Sequence, residues 1–330
     1  IQRVQELFIS PDGELNRIPF AALPSPASGE RLLGEVVQLR LLTTGRDLLR
    51  LEKPSAPAQQ SVVVADPFFD STRSPANQPS TAAASVVSFT RQTRSADQAG
   101  SRVWPSLPAT ALEARQLAPL LKSAQPITGD KATVNRVLGL HAPLILHMAT
   151  HGFFDPEPAA VATQRPKQSS SMATENGMSS AAFSEDPLLR SGVVMAGANH
   201  PDADPNDDGY LTASEATGMQ LNGTELVTLS ACETGLGSLR TGEGVYGLQR
   251  ALSVAGSRST LLSLWKVDDA ATAAFMTGFY RRLMAGEGRA EALRITQKSF
   301  RTSSNPLYRD ISSWAAFQLT GDWRPIVNHR

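Results

Sequence analysis

Apolar and β-branched positions along the chain fall into short runs separated by polar, glycine- and proline-rich stretches, and their spacing alternates between strand and helix periods. Residues 3–9 read as a strand ended by a Pro11-Asp12-Gly13 turn, 34–42 as a second strand and 47–52 as a helical stretch. The run at 62–65 is stopped by Asp66-Pro67, and helical spacing follows at 109–121 and at 131–140, where Asp130 stands as the cap. Further helices are predicted at 213–219, 243–255, 270–285 and 291–300, with strands at 260–265 and 314–319. Two segments, 70–106 and 156–185, are rich in Ser, Pro and Ala and carry no periodic apolar pattern. They are predicted to be long loops, the second being a lid, an activation loop or plain disorder.

Two runs stand apart. Leu226-Val227-Thr228-Leu229 leads into Ser230-Ala231-Cys232-Glu233-Thr234-Gly235, and Pro143-Leu144-Ile145-Leu146-His147-Met148-Ala149-Thr150 leads into His151-Gly152. Each is a short strand of the kind buried in a parallel sheet, and each delivers a reactive residue to the carboxyl edge, where open α/β folds place their chemistry. If the strands are neighbours, the His151 imidazole can take the proton of the Cys232 thiol and leave a thiolate paired with an imidazolium. The amide N–H groups of Gly152 and Cys232 are then the candidate oxyanion donors. A lone cysteine is otherwise a small buried hydrophobe, a role at odds with the small polar neighbours here. His147 shares strand parity with His151, so it either orients the dyad or is a hydrogen-bonded core histidine.

At these residues the sequence resembles the CHAT domain, a bacterial relative of caspases and separases in the clan of caspase-fold cysteine peptidases. The likeness extends to Ser10-Pro11-Asp12-Gly13-Glu14-Leu15, Asp186-Pro187-Leu188-Leu189-Arg190-Ser191-Gly192, Gly242-Glu243-Gly244-Val245, Ser263-Leu264-Trp265-Lys266-Val267-Asp268-Asp269 and Trp314-Ala315-Ala316-Phe317. The resemblance implies an α/β, caspase-like three-layer sandwich with a mostly parallel central sheet flanked by helices. It further implies an N-terminal pseudo-caspase lobe at 1–125 and a catalytic lobe at 126–330. The implied activity is that of a cysteine endopeptidase acting on a protein or peptide substrate, with no cofactor required for the chemistry.

In caspases the position two residues before the cysteine lines the specificity pocket; here it is Ser230. The strand after the nucleophile supplies further pocket residues, which places Ser263, Trp265 and Asp268 as substrate-binding candidates. A buried Asp268 favours Arg or Lys by a bidentate ion pair, although an Asp at such a position is also a natural N-cap. Caspase-like linkers near the site are often cut, which marks Arg165 and Lys167 as processing points. Two other readings stay open: a catalytically silent interaction module, and a calcium-gated regulatory module.

The calcium reading comes from residues 204–215, where Asp204, Asn206, Asp208, Tyr210 and Glu215 fall at liganding positions of a twelve-residue loop with Gly209 at its sixth place. The same residues serve a capping box of Thr212 and Glu215 and an Asp-rich turn. Charge narrows the partners: 31 basic residues balance 31 acidic ones, which points away from nucleic acid and from anionic membranes. A single cysteine excludes an internal disulfide and multi-thiolate zinc sites. With no long apolar run and no leader, a cytoplasmic location is expected. A start at Ile1 suggests a piece of a longer protein, with an upstream repeat or regulatory domain as a partner.

Overall fold

The computed structural model describes residues 5–26, 28–72, 103–121, 124–154, 187–204, 206–230 and 243–326. Its strands are β1 (Glu6–Ile9), β2 (Pro24–Ser25), β3 (Ser28–Leu32), β4 (Gln38–Leu41), β5 (Val62–Pro67), β6 (Gln125–Gly129), β7 (Ile145–Ala149), β8 (Gly152–Phe154), β9 (Ser191–Val194), β10 (Tyr210–Thr212), β11 (Leu226–Leu229), β12 (Ser259–Ser263) and β13 (Phe317–Gly321). The helices are α1 (Leu33–Val36), α2 (Asp47–Glu52), α3 (Pro108–Leu120), α4 (Val134–Leu138), α5 (Ala213–Ala216), α6 (Glu243–Val254), α7 (Asp269–Met284), α8 (Arg289–Arg301), α9 (Pro306–Arg309) and α10 (Ile311–Trp314).

Eight strands form one sheet in the order β1-β4-β13-β12-β11-β7-β5-β6, parallel throughout except between β12 and β13. Alternate side chains of its central strands feed two cores. Val63, Ala65, Ile145, Ala149, Leu226 and Leu261 pack beneath α3, α7 and α8, where Leu117, Phe275, Phe279 and Phe300 close the layer. Val62, Val64, Leu146, Met148, Val227, Leu229 and Leu262 face the other way, toward Val134 and Val137 of α4, Ala213 of α5 and Leu252 of α6. Burial on both faces is why these strands read as unbroken apolar runs. The result is the expected three-layer α/β sandwich with a mostly parallel central sheet. A small antiparallel sheet, β10-β9-β8, sits beside the carboxyl edge and continues directly from the β7 strand.

The expected division at 125/126 falls inside the main sheet. It cuts through β6, whose partner β5 comes from the N-terminal part, and β1 and β4 lie in the same sheet as β13. Among the described residues the first third has no large sheet of its own. The physical reason is the Val62-Val63-Val64-Ala65 run: fully buried on both faces, it fits only inside the sheet, between β7 and β6. Other expectations shift locally. The 34–42 strand begins instead with the helical turn α1, and 131–140 shortens to α4, capped by Thr133 rather than Asp130. The last strand starts at Phe317 because Trp314 still belongs to α10.

At the far edge of the sheet from the carboxyl tips lies a buried ion network. Arg289, wholly inaccessible at the start of α8, hydrogen-bonds Glu225 and the Arg324 carbonyl (2.8 Å) and lies 3.5 Å from Asp322. Asp322 also takes Arg258 at 3.0 Å and Arg324 at 2.8 Å. Burial pushes the Asp322 carboxyl up, but the Arg324 hydrogen bond and the Arg289 and Arg324 charges outweigh it and hold it at about 2, against an ordinary 3.8. A depressed carboxyl contributes stability that is complete above its unfolded value and is lost as pH falls from about 4 toward 2. The expected contribution is about 2 kcal/mol. Urea midpoints measured from pH 5 to pH 2.5 should fall across this window, and Asp322→Asn should flatten that fall while lowering stability at pH 7.

Candidate active site

The two strands singled out by the sequence are hydrogen-bonded parallel neighbours. Met148 lies opposite Leu229, and beyond the strand end the Ser230 N–H still donates to the Met148 carbonyl at 3.0 Å. The chain therefore carries His151 past the tip of β7 beside the tip of β11, from which Cys232 follows two residues after Ser230. Cys232 itself lies outside the described residues, as do Arg165 and Lys167.

His151 is only 3% exposed. Its ring lies between Phe69 and Trp104, with ring centroids 5.3 and 5.2 Å away. Its Nε2 is 2.8 Å from the Pro105 carbonyl oxygen. A carbonyl can only accept, so Nε2 carries the proton, and in the neutral ring Nδ1 is the basic atom. The Trp104-Pro105 strap is itself held. The Trp104 indole donates to the Tyr210 hydroxyl (3.0 Å), which donates to the Ala198 carbonyl (3.2 Å), and the Trp104 backbone N–H donates to Asn199 (2.7 Å). The small sheet and its turn thus fix the strap, and the strap fixes the tautomer and plane of the imidazole. Gly152 follows at once as the first residue of β8, and it is buried.

His151 opens onto a cleft whose wall includes Ser230, Glu113, Lys266, Asp269 and Thr272. Of the four substrate-binding candidates, Ser230 lines this cleft. Among the described residues the wall does not include the other three substrate-binding candidates. Ser263 is buried within β12, and its hydroxyl has no hydrogen-bond partner among the described residues. The Trp265 indole turns away to donate to the Ser312 carbonyl at 2.9 Å. Asp268 is the N-cap of α7, accepting from Ala270 and Ala271 at 2.9 and 3.0 Å. Its oxygen is held there because a helix starting at residue 269 leaves those N–H groups otherwise unpaired. Of these two neighbouring aspartates, it is Asp269 that lines the cleft, together with Glu113. Partial burial raises its carboxyl above the ordinary range, the Asp268 charge adds to this, and Lys266 and His151 pull the other way.

His147 is buried completely, with Nδ1 3.1 Å from the Tyr280 hydroxyl and Nε2 3.1 Å from Glu113. It is a hydrogen-bonded core histidine on the same face of the sheet as Thr228. Phe69, Trp104, Pro105 and Glu113 escape sequence reasoning. The one available signal was Trp104, a large aromatic in an otherwise polar stretch just before a helix start.

The stretch from Asp204 to Glu215 is folded by its own side chains. Asp204 accepts from the Asn206 N–H (2.8 Å) and Asp208 from the Tyr210 N–H (3.0 Å). Glu215, expected as the bidentate ligand, closes the capping box with Thr212, and Tyr210 lies in β10. Asp207 accepts from Asn135 and Val134 at the start of α4; burial raises its carboxyl, opposed by these hydrogen bonds. Gly209 is required by the turn alone: its φ is +77°, and a Cβ there would lie 2.4 Å from the Ala198 nitrogen. Among the described residues no three His, Cys, Asp or Glu gather in a metal-holding group.

A mostly parallel sheet between two helical layers, with a tethered imidazole at the carboxyl edge of its central strands, defines a three-layer α/β protein. The chain belongs to the CHAT domain family, whose model matches residues 1–322. It is similar to tetratricopeptide repeat protein 28 of Homo sapiens (28% identical over 327 residues) and of Mus musculus (27% over 330), each match covering 97% of this chain. The chain spans 12% of the length of these relatives. Among solved structures it is similar to the Arg specific cysteine proteinase gingipain R, at 8% identity and a TM-score of 0.45, over 88% of this chain and 55% of that one. These two relatives are mammalian, and neither supports a bacterial origin for the chain. No helix among the described residues is long and apolar enough to cross a membrane.

Proposed function

We propose that the chain is a cysteine endopeptidase in which His151 Nδ1 takes the proton of the Cys232 thiol. The thiolate attacks the scissile carbonyl, and the imidazolium returns the proton to the departing amine. Water then hydrolyses the thioester, with His151 again as base. The N–H groups of Gly152 and Cys232 are the proposed oxyanion donors. The observation that carries this reading is the Nε2 contact to the Pro105 carbonyl at 2.8 Å, on a histidine beside the strand tip that leads to Cys232. A core histidine has no need of an aromatic cradle, a fixed tautomer and a cleft together. Membership of the CHAT family supports the same reading, and the repeat proteins it resembles support an upstream repeat region as a regulatory partner.

The finer proposal concerns substrate choice. Asp269, rather than the capping Asp268, is the carboxylate placed to pair with an Arg or Lys side chain, because it shares the cleft with His151 and Ser230. An arginyl chloromethyl ketone should label the protein at Cys232 and fail to label Cys232→Ala. Asp269→Asn should slow that labelling about 10-fold while leaving a leucyl ketone unaffected, the size of one desolvated charge-assisted contact. No labelling of the wild-type protein by either ketone defeats the peptidase reading. Equal slowing of both ketones defeats the assignment of Asp269 alone.

A further inference from the structure

On one face of the sheet five buried polar side chains lie in a row that begins at Thr228 in β11 and returns to Ser230 just past its end. The Tyr280 hydroxyl donates to Thr228 Oγ1 at 2.7 Å, so its oxygen accepts from His147 Nδ1 at 3.1 Å. His147 Nε2 faces Glu113 Oε1 at 3.1 Å, and Ser230 Oγ lies 3.4 Å from Glu113 Oε2. Thr228, Tyr280 and His147 are wholly inaccessible, and Glu113 and Ser230 are 2% and 4% exposed. Burial raises the Tyr280 hydroxyl, so it keeps its proton, as donation to Thr228 requires. Such a network is costly to bury, and its middle link is a close approach only: Glu113 Oε1 and His147 Nε2 have no hydrogen-bond partner among the described residues. A plain apolar contact between α3, α7 and the sheet would hold the layers together equally well.

The row differs from ordinary core chemistry in where it ends. Ser230 stands two residues before Cys232 in the sequence, and Glu113 lines the cleft with His151. Glu113 also lies in α3, directly after the strap whose Pro105 carbonyl holds His151. One stretch, from Trp104 to Glu113, therefore reaches both strand tips. We propose that Glu113 is a positioning residue that fixes the carboxyl end of β11 by accepting from the Ser230 hydroxyl, with His147 and Tyr280 packed behind the carboxylate. This rests on the dyad reading above, since the geometry it sets is that between His151 and the residue after the tip.

Cys232 is the single cysteine of the chain, so its alkylation by iodoacetamide, followed by intact mass, reads thiolate formation without any substrate. The wild-type rate should rise with pH through an inflection well below the free-thiol value of about 8.5. Glu113→Gln and Ser230→Ala should each move the inflection upward and slow alkylation at pH 6 by at least about 3-fold, as loss of a supporting contact does. The double variant should be no slower than the slower single, because both act through one contact. Ser230→Thr, which keeps the hydroxyl, should stay near wild type. Thermal midpoints are taken in parallel; if Glu113→Gln fails to fold, Ser230→Ala against Ser230→Thr decides, since they differ in the hydroxyl and in little else that the row uses. Single-variant profiles that superpose on wild type, or effects that add in the double variant, overturn the proposal. A wild-type inflection near the free-thiol value that His151→Ala leaves in place overturns the dyad, and this proposal with it. A low inflection sensitive to His151→Ala but not to Ser230→Ala overturns this proposal alone.

Discussion

Replacing His151 with alanine is expected to lower peptide hydrolysis about 1,000-fold while lowering alkylation of Cys232 at pH 6 only about 10-fold. The two numbers differ because the two reactions use the imidazole differently. A free thiol with a pKa near 8.5 is roughly 0.3% thiolate at pH 6, and pairing with an imidazolium at an apparent value near 5 makes it almost fully ionised, a gain of about 300-fold. A thiolate of lower basicity is a weaker nucleophile, and a Brønsted slope of about 0.45 over some 3.5 units returns roughly 40-fold of that gain. The net effect on alkylation is therefore modest. Hydrolysis loses in addition the proton that His151 delivers to the leaving amine and the base that activates water, worth together about 100- to 10,000-fold. Equal loss in both assays would mean that the imidazole only ionises the thiol. No loss in either would mean that the Pro105 contact holds a purely structural ring.

That prediction could be drafted from sequence only in part. The tips of β7 and β11 were legible because a strand buried on both faces advertises itself as an unbroken apolar run ending in a polar turn. Their adjacency follows once both are central strands of a parallel sheet. The strap at Trp104 and Pro105 was not legible, because its role depends on a backbone carbonyl, which every residue has. Nor was Glu113: on a helix of mixed surface it reads as an exposed charge, and only the register of α3 over β7 turns it inward to His147. The Asp268/Asp269 pair shows the same limit at finer scale. Both stand where a strand meets a helix, and a one-residue difference in where α7 begins decides which carboxylate caps and which faces the cleft. The loop at Asp204 carried two overlapping patterns, and in the fold the side chains of the capping box and the Asp turns are engaged with the backbone.

The places of the N-terminal strands in the sheet were not legible for a related reason. Contacts between residues far apart in sequence, such as β5 between β6 and β7 or β4 beside β13, leave no periodic trace. The resemblance supplied a two-lobed picture, whereas the Val62-Val63-Val64-Ala65 run, taken by itself, already demanded two strand neighbours. Weighing what an apolar run needs for its burial gives the better guide here than dividing the chain by length.

Glu225→Gln is expected to be the most destabilising of the conservative substitutions, by about 3–5 kcal/mol, because it strips the nearest anion from a guanidinium that cannot lose its proton. Arg289 is fully inaccessible; burial lowers its pKa, and the Asp322 and Glu225 charges raise it. With glutamine at 225 an amide oxygen can still accept from Arg289, but the remaining anion is Asp322 at 3.5 Å, which must then serve Arg258 and Arg324 as well. Three cations would face one carboxylate. Arg289→Met should cost less, since it removes the surplus cation and fills the site with apolar volume, leaving Arg258 near both Glu225 and Asp322. The double variant Glu225→Gln/Arg289→Met should therefore be more stable than Glu225→Gln alone, a coupling that thermal midpoints resolve as a recovery of several of the roughly 5–10 °C lost. If the double variant is instead the sum of the two singles, the pair is not coupled and the network is a set of independent surface-like contacts. The consequence for the site runs along one strand: Glu225 precedes β11, and its N–H, bonded to the Leu144 carbonyl at 2.9 Å, sets the register of β11 against β7. Stability is thus concentrated at the amino end of the strand whose carboxyl end carries Ser230 and leads to Cys232. Glu225→Gln should lower the midpoint while leaving the alkylation profile of the remaining folded protein in place.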